Sequence, residues 1–235
     1  MANTLIEAFK VYKKESPEDA ARVIQTSIAH YTSKGSMALL PSPREPNTDI
    51  SPPGNFRRAA THQQNLAELY EVELGDQKKA LEAYNTAAEW YESDNAEALA
   101  NKLFLKVADL AALEGDYQTA IAKFEAVAKS SLSNNLMKWS VKEYMLKAGI
   151  CHLASQDLVA TTRALDMYRD LDPSFGGTRE NMLLNDLVAA VQEGDQEAFS
   201  DKLFQYDQLS KLDKWKTTLL LRVKGAIEKD EEDFS

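Results

Sequence analysis

Apolar residues recur at helical spacing along nearly the whole chain. Trp215, Leu219, Val223 and Ile227 are four residues apart, while Lys216, Arg222 and Lys224 fall on other sides of the same run. Leu66, Leu69 and Tyr70, and again Phe104, Val107 and Leu110, sit three to four apart or side by side. Such spacing gathers each set on one stripe of an α-helix and leaves the interleaved lysines and arginine to a polar face. Sustained alternation of apolar and polar residues, the mark of a half-buried strand, is not found. The pattern predicts an all-α protein.

Three related strings punctuate the pattern: "LGDQKKALEAY" at 74–84, "EGDYQTAIAKF" at 114–124 and "EGDQEAFSDKL" at 193–203. Each reads as a helix end, a short turn and a new helix. Glycine suits the left-handed position that closes a helix, and the following aspartate can accept hydrogen bonds from the free N–H groups of the next one. Gly75 and Gly115 are 40 residues apart, and Gly194 lies 79 further on. A fourth turn is therefore expected near residue 155, and "ASQDLVATTRALDMY" supplies it, with Ser155 at the glycine position, Asp157 close by and Ala160 aligned with Ala80 and Ala120. A period near 40 residues with two helices per unit predicts a tetratricopeptide-like α-helical solenoid.

"KESPEDAARVIQTSIAHY" repeats the turn-then-helix form near the N-terminus, but its Ala20 precedes Ala80 by 60 residues, about one half-period too many. Residues 36–54, "SMALLPSPREPNTDISPPG", hold five of the seven prolines, and no regular helix passes through them. Removing this stretch restores the period. It is read as a disordered insertion at a helix–helix turn, with a proline-rich ligand or a translated intron as the other readings.

Composition narrows the function. The 235 residues are 44% hydrophobic, enough to bury a core in one elongated domain or two compact ones. No window approaches the roughly 20 apolar residues of a membrane-spanning helix. The N-terminus lacks the order of a secretory signal, and the single cysteine, Cys151, permits no internal disulfide, so a cytoplasmic setting is expected. The net charge is −10, and acidic residues outnumber basic ones most over 151–235, 17 to 10. Nothing there resembles the dense lysine and arginine clusters that grip nucleic acid.

Candidate chemistry is sparse. His30, His62 and His152 show no metal-ligand spacing, and phosphate-cradling glycine motifs and nucleophile elbows are absent, so neither a metal, a cofactor nor a catalytic residue is expected. Cys151 and His152 are adjacent, which turns their side chains about 100° apart on a helix and favours a buried structural thiol. Trp90, Trp139 and Trp215 are expected in core or inter-repeat packing. A helical solenoid without catalytic groups instead offers an extended concave surface to another protein.

Longer strings carry a resemblance. "ALEAYNTAAEWYESDNAEALANKLFLKVADLAALEGDYQTAI", "WSVKEYMLKAGICHLA", "LDPSFGGTRE", "LDKWKTTLLLRVK" and the ending "DEEDFS" resemble the soluble NSF attachment protein family, in its alpha form of fungal type. The resemblance is continuous over about 56–235 and looser over 1–35. It implies a curved sheet of antiparallel helix pairs ending in a C-terminal helical bundle, with segments 1–35 as an N-terminal helix pair, 36–54 as the insertion, 55–150 as the repeat sheet and 151–235 as the bundle with its acidic tail. It implies a non-enzymatic adaptor that binds the SNARE four-helix bundle and recruits and stimulates the hexameric AAA ATPase NSF, taking no small-molecule substrate. The family pattern continues N-terminally, including an apolar loop that touches membrane, so membrane contact and SNARE affinity are expected to be weakened in this chain, which associates with membranes only peripherally, through SNARE complexes. The alternatives are a fragment that binds SNAREs or NSF without supporting disassembly, a gamma-type member, and an unrelated peptide-reading scaffold.

By the same resemblance the SNARE-binding residues are Arg57, Arg58, Lys79, Lys102 and Lys106, with Lys102 and Lys106 one helical turn apart. An acidic bundle surface calls for such local cations on a protein of net negative charge. The implied NSF-binding residues are Asp157, Glu193, the run Asp230, Glu231, Glu232 and Asp233, and Phe234, which stands where the family usually has leucine.

Overall fold

A computed structural model describes residues 2–38, 55–134 and 137–233, with side chains described over 4–33, 56–134 and 137–227. The described residues form eleven α-helices and no strand: α1 (Ala2–Glu15), α2 (Pro17–Ala38), α3 (Asn55–Val72), α4 (Gln77–Ser93), α5 (Glu97–Glu114), α6 (Tyr117–Leu132), α7 (Val141–Ala154), α8 (Leu158–Leu171), α9 (Arg179–Glu193), α10 (Gln196–Leu209) and α11 (Lys214–Asp233). Short 3-10 turns at Lys138–Ser140 and Pro173–Gly177 precede α7 and α9. Helix α2 takes in Ser36, Met37 and Ala38, the first residues of the proline-rich stretch, and 39–54 lie outside the described residues.

The turns follow the expected chemistry. Gly75, Gly115 and Gly194 have φ of 65°, 90° and 70°, the left-handed region where a Cβ would be strained. The next aspartate caps each new helix: Asp76 accepts from Lys79 N at 3.0 Å, Asp116 from Thr119 N at 3.1 Å and Asp195 from Ala198 N at 2.8 Å. The fourth turn repeats the pattern one residue later than read from sequence. Gln156, not Ser155, takes the left-handed conformation, at φ 64°, and Asp157 accepts from Ala160 N at 2.8 Å. The cap fixes the register, because the aspartate must directly follow the left-handed residue to reach the N–H groups ahead of it.

The chain divides into two compact units, Met1–Val107 and Ala108–Ser235. In the first, α1 lies against α2, α2 against α3 and α3 against α4. Alanines make this close approach possible: Ala20, Ala59, Ala60, Ala67, Ala80, Ala87 and Ala88 are completely buried. Phe9, Ile24, Ile28, Leu66 and Leu69 fill the space around them, with Tyr70 and Trp90 packed against the edge.

His62, on α3, stacks on Tyr31 of α2 with ring centroids 5.4 Å apart, and its Nδ1 is buried without a hydrogen-bond partner. Burial, then the charge of Arg58, holds its pKa below the ordinary 6.5. Because folding disfavours the protonated ring, stability is complete above about pH 6.5 and falls as pH drops from there toward the lowered folded value. The melting temperature is expected to fall on going from pH 7.5 to 5.5, and His62→Asn to reduce that fall; equal slopes for the two proteins would refute the assignment.

In the second unit α7 is the central helix, meeting α6, α8, α9 and α11. Its sequence is apolar on almost every side, with Val141, Met145, Leu146, Ala148, Gly149, Ile150, Cys151 and Leu153 buried. A Cβ on Gly149 would lie 2.5 Å from Leu184 Cδ1, so glycine is what lets α9 approach α7 this closely. Helix α11 docks through Leu219, Leu220, Val223 and Ile227, as its periodicity predicts.

Two cationic side chains of α11 have fixed partners, and one of them departs from the expected polar face. Lys216 is buried, with its ammonium 2.5 Å from Glu143 and 3.1 Å from Asp213. Burial works against its charge, but those two carboxylates outweigh it and keep its pKa above the usual value. Arg222 reaches from an exposed position to the C-terminal carbonyls of α5, donating to Leu113 O at 2.7 Å and Ala112 O at 3.2 Å, and so satisfies acceptors that the helix leaves open.

Candidate functional site

The cations expected to face a partner lie in the first unit. Arg57 and Arg58 are exposed at the start of α3. Lys79, in the first turn of α4, pairs with the capping Asp76 at 2.8 Å and sits 5.6 Å from the ring centroid of Tyr70. Lys102 and Lys106 occupy successive turns of α5 but differ in environment. Lys102 is exposed. The Lys106 ammonium donates to Glu71 of α3 at 2.6 Å and lies 5.9 Å from the ring of Tyr84 on α4. The Tyr84 hydroxyl donates to the other Glu71 oxygen at 2.8 Å; burial, then that bond and the charges of Glu71 and Glu68, push its pKa up.

The second unit carries a feature that sequence reasoning placed wrongly. Trp139 is not packed in the core; it is 84% exposed on the 3-10 turn before α7. It lines a cleft of about 600 Å³ with Lys138, Lys142, Asp172, Ser174 and Thr178. The cleft wall is stiffened by caps: Asp172 accepts from Ser174 N at 3.0 Å, and Thr178 from Asn181 N at 3.1 Å. Lys142 is tied to the buried Glu180 at 3.1 Å. The available signal was position, since Trp139 precedes the periodic run of α7 and stands among lysines. Trp90 and Trp215, by contrast, are half-buried, and the Trp215 indole donates to Asp109 O at 2.9 Å.

Of the acidic candidates, Asp157 is exposed but commits one oxygen to the α8 cap. Glu193 is exposed at the last position of α9. Asp230, Glu231, Glu232 and Asp233 continue the backbone of α11, but their side chains lie outside the described residues, as does Phe234 entirely.

The histidine and cysteine side chains have structural partners. His152 lies 3.2 Å from Glu125, and the Tyr168 hydroxyl donates to the same carboxylate oxygen at 2.6 Å. Burial opposes the Glu125 charge, but these two bonds hold its pKa below the ordinary value. Burial, then the charge of Asp109, pushes the Cys151 thiol up to about 12, which keeps it protonated and unreactive. No group of three or more His, Cys, Asp or Glu side chains suited to a metal occurs among the described residues.

A family described as soluble NSF attachment protein, SNAP, matches residues 1–39 and 51–228; the gap falls inside the proline-rich stretch. A probable vesicular-fusion protein sec17 homolog of Schizosaccharomyces pombe is 50% identical over all of this chain and 74% of its own length. The alpha-soluble NSF attachment protein of Saccharomyces cerevisiae is 38% identical over 99% of this chain and 73% of its own, and the human protein of the same name 34% over 99% and 72%.

Proposed function

The chain belongs to the soluble NSF attachment protein family, and we propose that it presents cationic side chains to a SNARE four-helix bundle and acidic ones to the hexameric ATPase NSF. It is a non-enzymatic adaptor for NSF in vesicle fusion. The observation that carries this is a match running almost from end to end at up to 50% identity, which an unrelated peptide-reading scaffold would not share. No helix among the described residues is long and apolar enough to cross a membrane. We place the protein on the cytoplasmic side, held at membranes peripherally through the SNARE complexes it binds.

In this reading Arg57, Arg58, Lys79, Lys102 and Lys106 of the first unit meet the acidic exterior of the SNARE bundle, and Trp139 with Lys138 and Lys142 of the second makes its own apolar contact flanked by charge. Asp157, Glu193 and the run from Asp230 to Asp233 meet a basic surface of NSF, and Phe234 supplies an apolar anchor. Adding the protein to NSF and SNARE complexes is expected to support disassembly; binding without disassembly would leave it a competitor. Lys102→Glu is expected to weaken SNARE binding about tenfold, or about 1.4 kcal/mol, and to do so less as salt rises, with helicity unchanged. An unaltered affinity at low salt would remove α5 from this surface.

A further inference from the structure

Lys106 does not stand in solvent like Lys102. Its ammonium is 2.6 Å from Glu71, its side chain is 40% exposed and that of Glu71 only 21%. The same carboxylate is held from the other side by the Tyr84 hydroxyl at 2.8 Å, so three helices fix one internal ion pair. A second carboxylate, Glu68, lies one turn earlier on α3, hydrogen-bonded by Gln64 at 3.0 Å. Lys106 is thus opposed, within the same unit, by Glu71 of α3, whereas Lys102 one turn earlier on α5 is exposed.

We propose that Glu71 is a positioning residue that masks the Lys106 charge, so that an acidic partner gains Lys106 only by exchanging it away from Glu71. The proposal rests on the reading of this α5 face as SNARE-facing. The physical reason is that the internal pair is already formed, partly desolvated and braced by a second donor. Replacing one carboxylate by another around the ammonium then yields little net attraction, whereas an exposed lysine brings its full charge to the encounter. Lys102 is the contributing cation and Lys106 is held in reserve. Any modification or variant that removes the Glu71 charge would raise affinity without adding a contact.

The test is a double-mutant cycle in the full chain, with binding to an assembled SNARE bundle measured across a salt titration. Glu71→Gln retains an oxygen that can accept from Tyr84 and Lys106, and is expected to tighten binding about threefold at low salt and to steepen the salt dependence. Lys106→Gln is expected to cost little in the natural background and as much as Lys102→Gln once Glu71 is Gln. Tyr84→Phe, which loosens the carboxylate without removing it, is expected to shift affinity in the same direction by less. Binding by Glu71→Gln that is unchanged or weaker, with its melting curve intact, would overturn the masking. If the Glu71→Gln chain does not fold, a Tyr84→Phe affinity equal to or below the natural one overturns it instead. If neither Lys102 nor Lys106 matters in either background, the SNARE-facing reading of α5 itself fails, a result distinct from failure of the mask.

Discussion

Truncating Phe124 to alanine is expected to destabilise the protein by about 3–5 kcal/mol. Phe124 is completely buried on α6, where it meets the Trp215 indole edge to face at 5.7 Å. Lys147 of α7 lies 5.6 Å from the Phe124 ring and 4.7 Å from the Trp215 ring, and its ammonium pairs with Asp109 of α5 at 2.7 Å. Phe124 therefore packs against Lys147 of α7 and Trp215 of α11, an ammonium and an indole already committed to Asp109. Such walls cannot collapse into the void, which places the cost toward the upper end of the range. In a chain of this length the loss corresponds to a fall in melting temperature of about 10 °C. The urea midpoint should drop with an unchanged slope, and the near-ultraviolet signal of Trp215 should weaken. A loss below about 1 kcal/mol would mean that this junction is not closely packed in solution.

Trp139→Ala is expected to act in the opposite way, on binding and not on stability. An 84% exposed indole contributes little to folding, so the melting temperature should move by less than the equivalent of about 0.5 kcal/mol. As an aromatic anchor held on a 3-10 turn between Lys138 and Lys142, facing a wall whose turns are capped by Asp172 and Thr178, it has the character of an interface hot spot, where truncation costs about 2 kcal/mol or roughly 30-fold in affinity. Trp139→Phe should recover much of that. SNARE affinity equal to that of the natural chain would exclude the Trp139 cleft from the surface proposed here. Lower affinity accompanied by lower stability would instead point to a packing role.

Much of the fold was legible because its signals are local. A helix records its buried stripe in residue spacing, as Leu219, Val223 and Ile227 do. It records its boundaries in the few residue types that tolerate a left-handed turn or accept a cap, as Gly115 and Asp116 do. The fourth turn was found from the period alone but placed one residue early. Gln156 has no intrinsic preference for φ 64°, and only the hydrogen bond from Ala160 N to Asp157 identifies the register.

The chain by itself determined the all-α class, the turn-and-cap repeat and, through long distinctive strings, the family. Tertiary structure decided which charges and aromatics are available to a partner. Lys216 reads as a surface lysine until the carboxylates of Glu143 and Asp213 converge on it. Lys106 reads as the equal of Lys102 until Glu71 and Tyr84 close around it. Trp139 reads as core until the turn before α7 leaves it outside. Residue type and spacing fix which side of its own helix a group occupies, but its effective charge and exposure depend on residues 35 to 73 positions away in the chain, as Glu71 and Glu143 are from Lys106 and Lys216. Only packing brings them within a few ångströms, and at that range desolvation and pairing outweigh intrinsic residue preference.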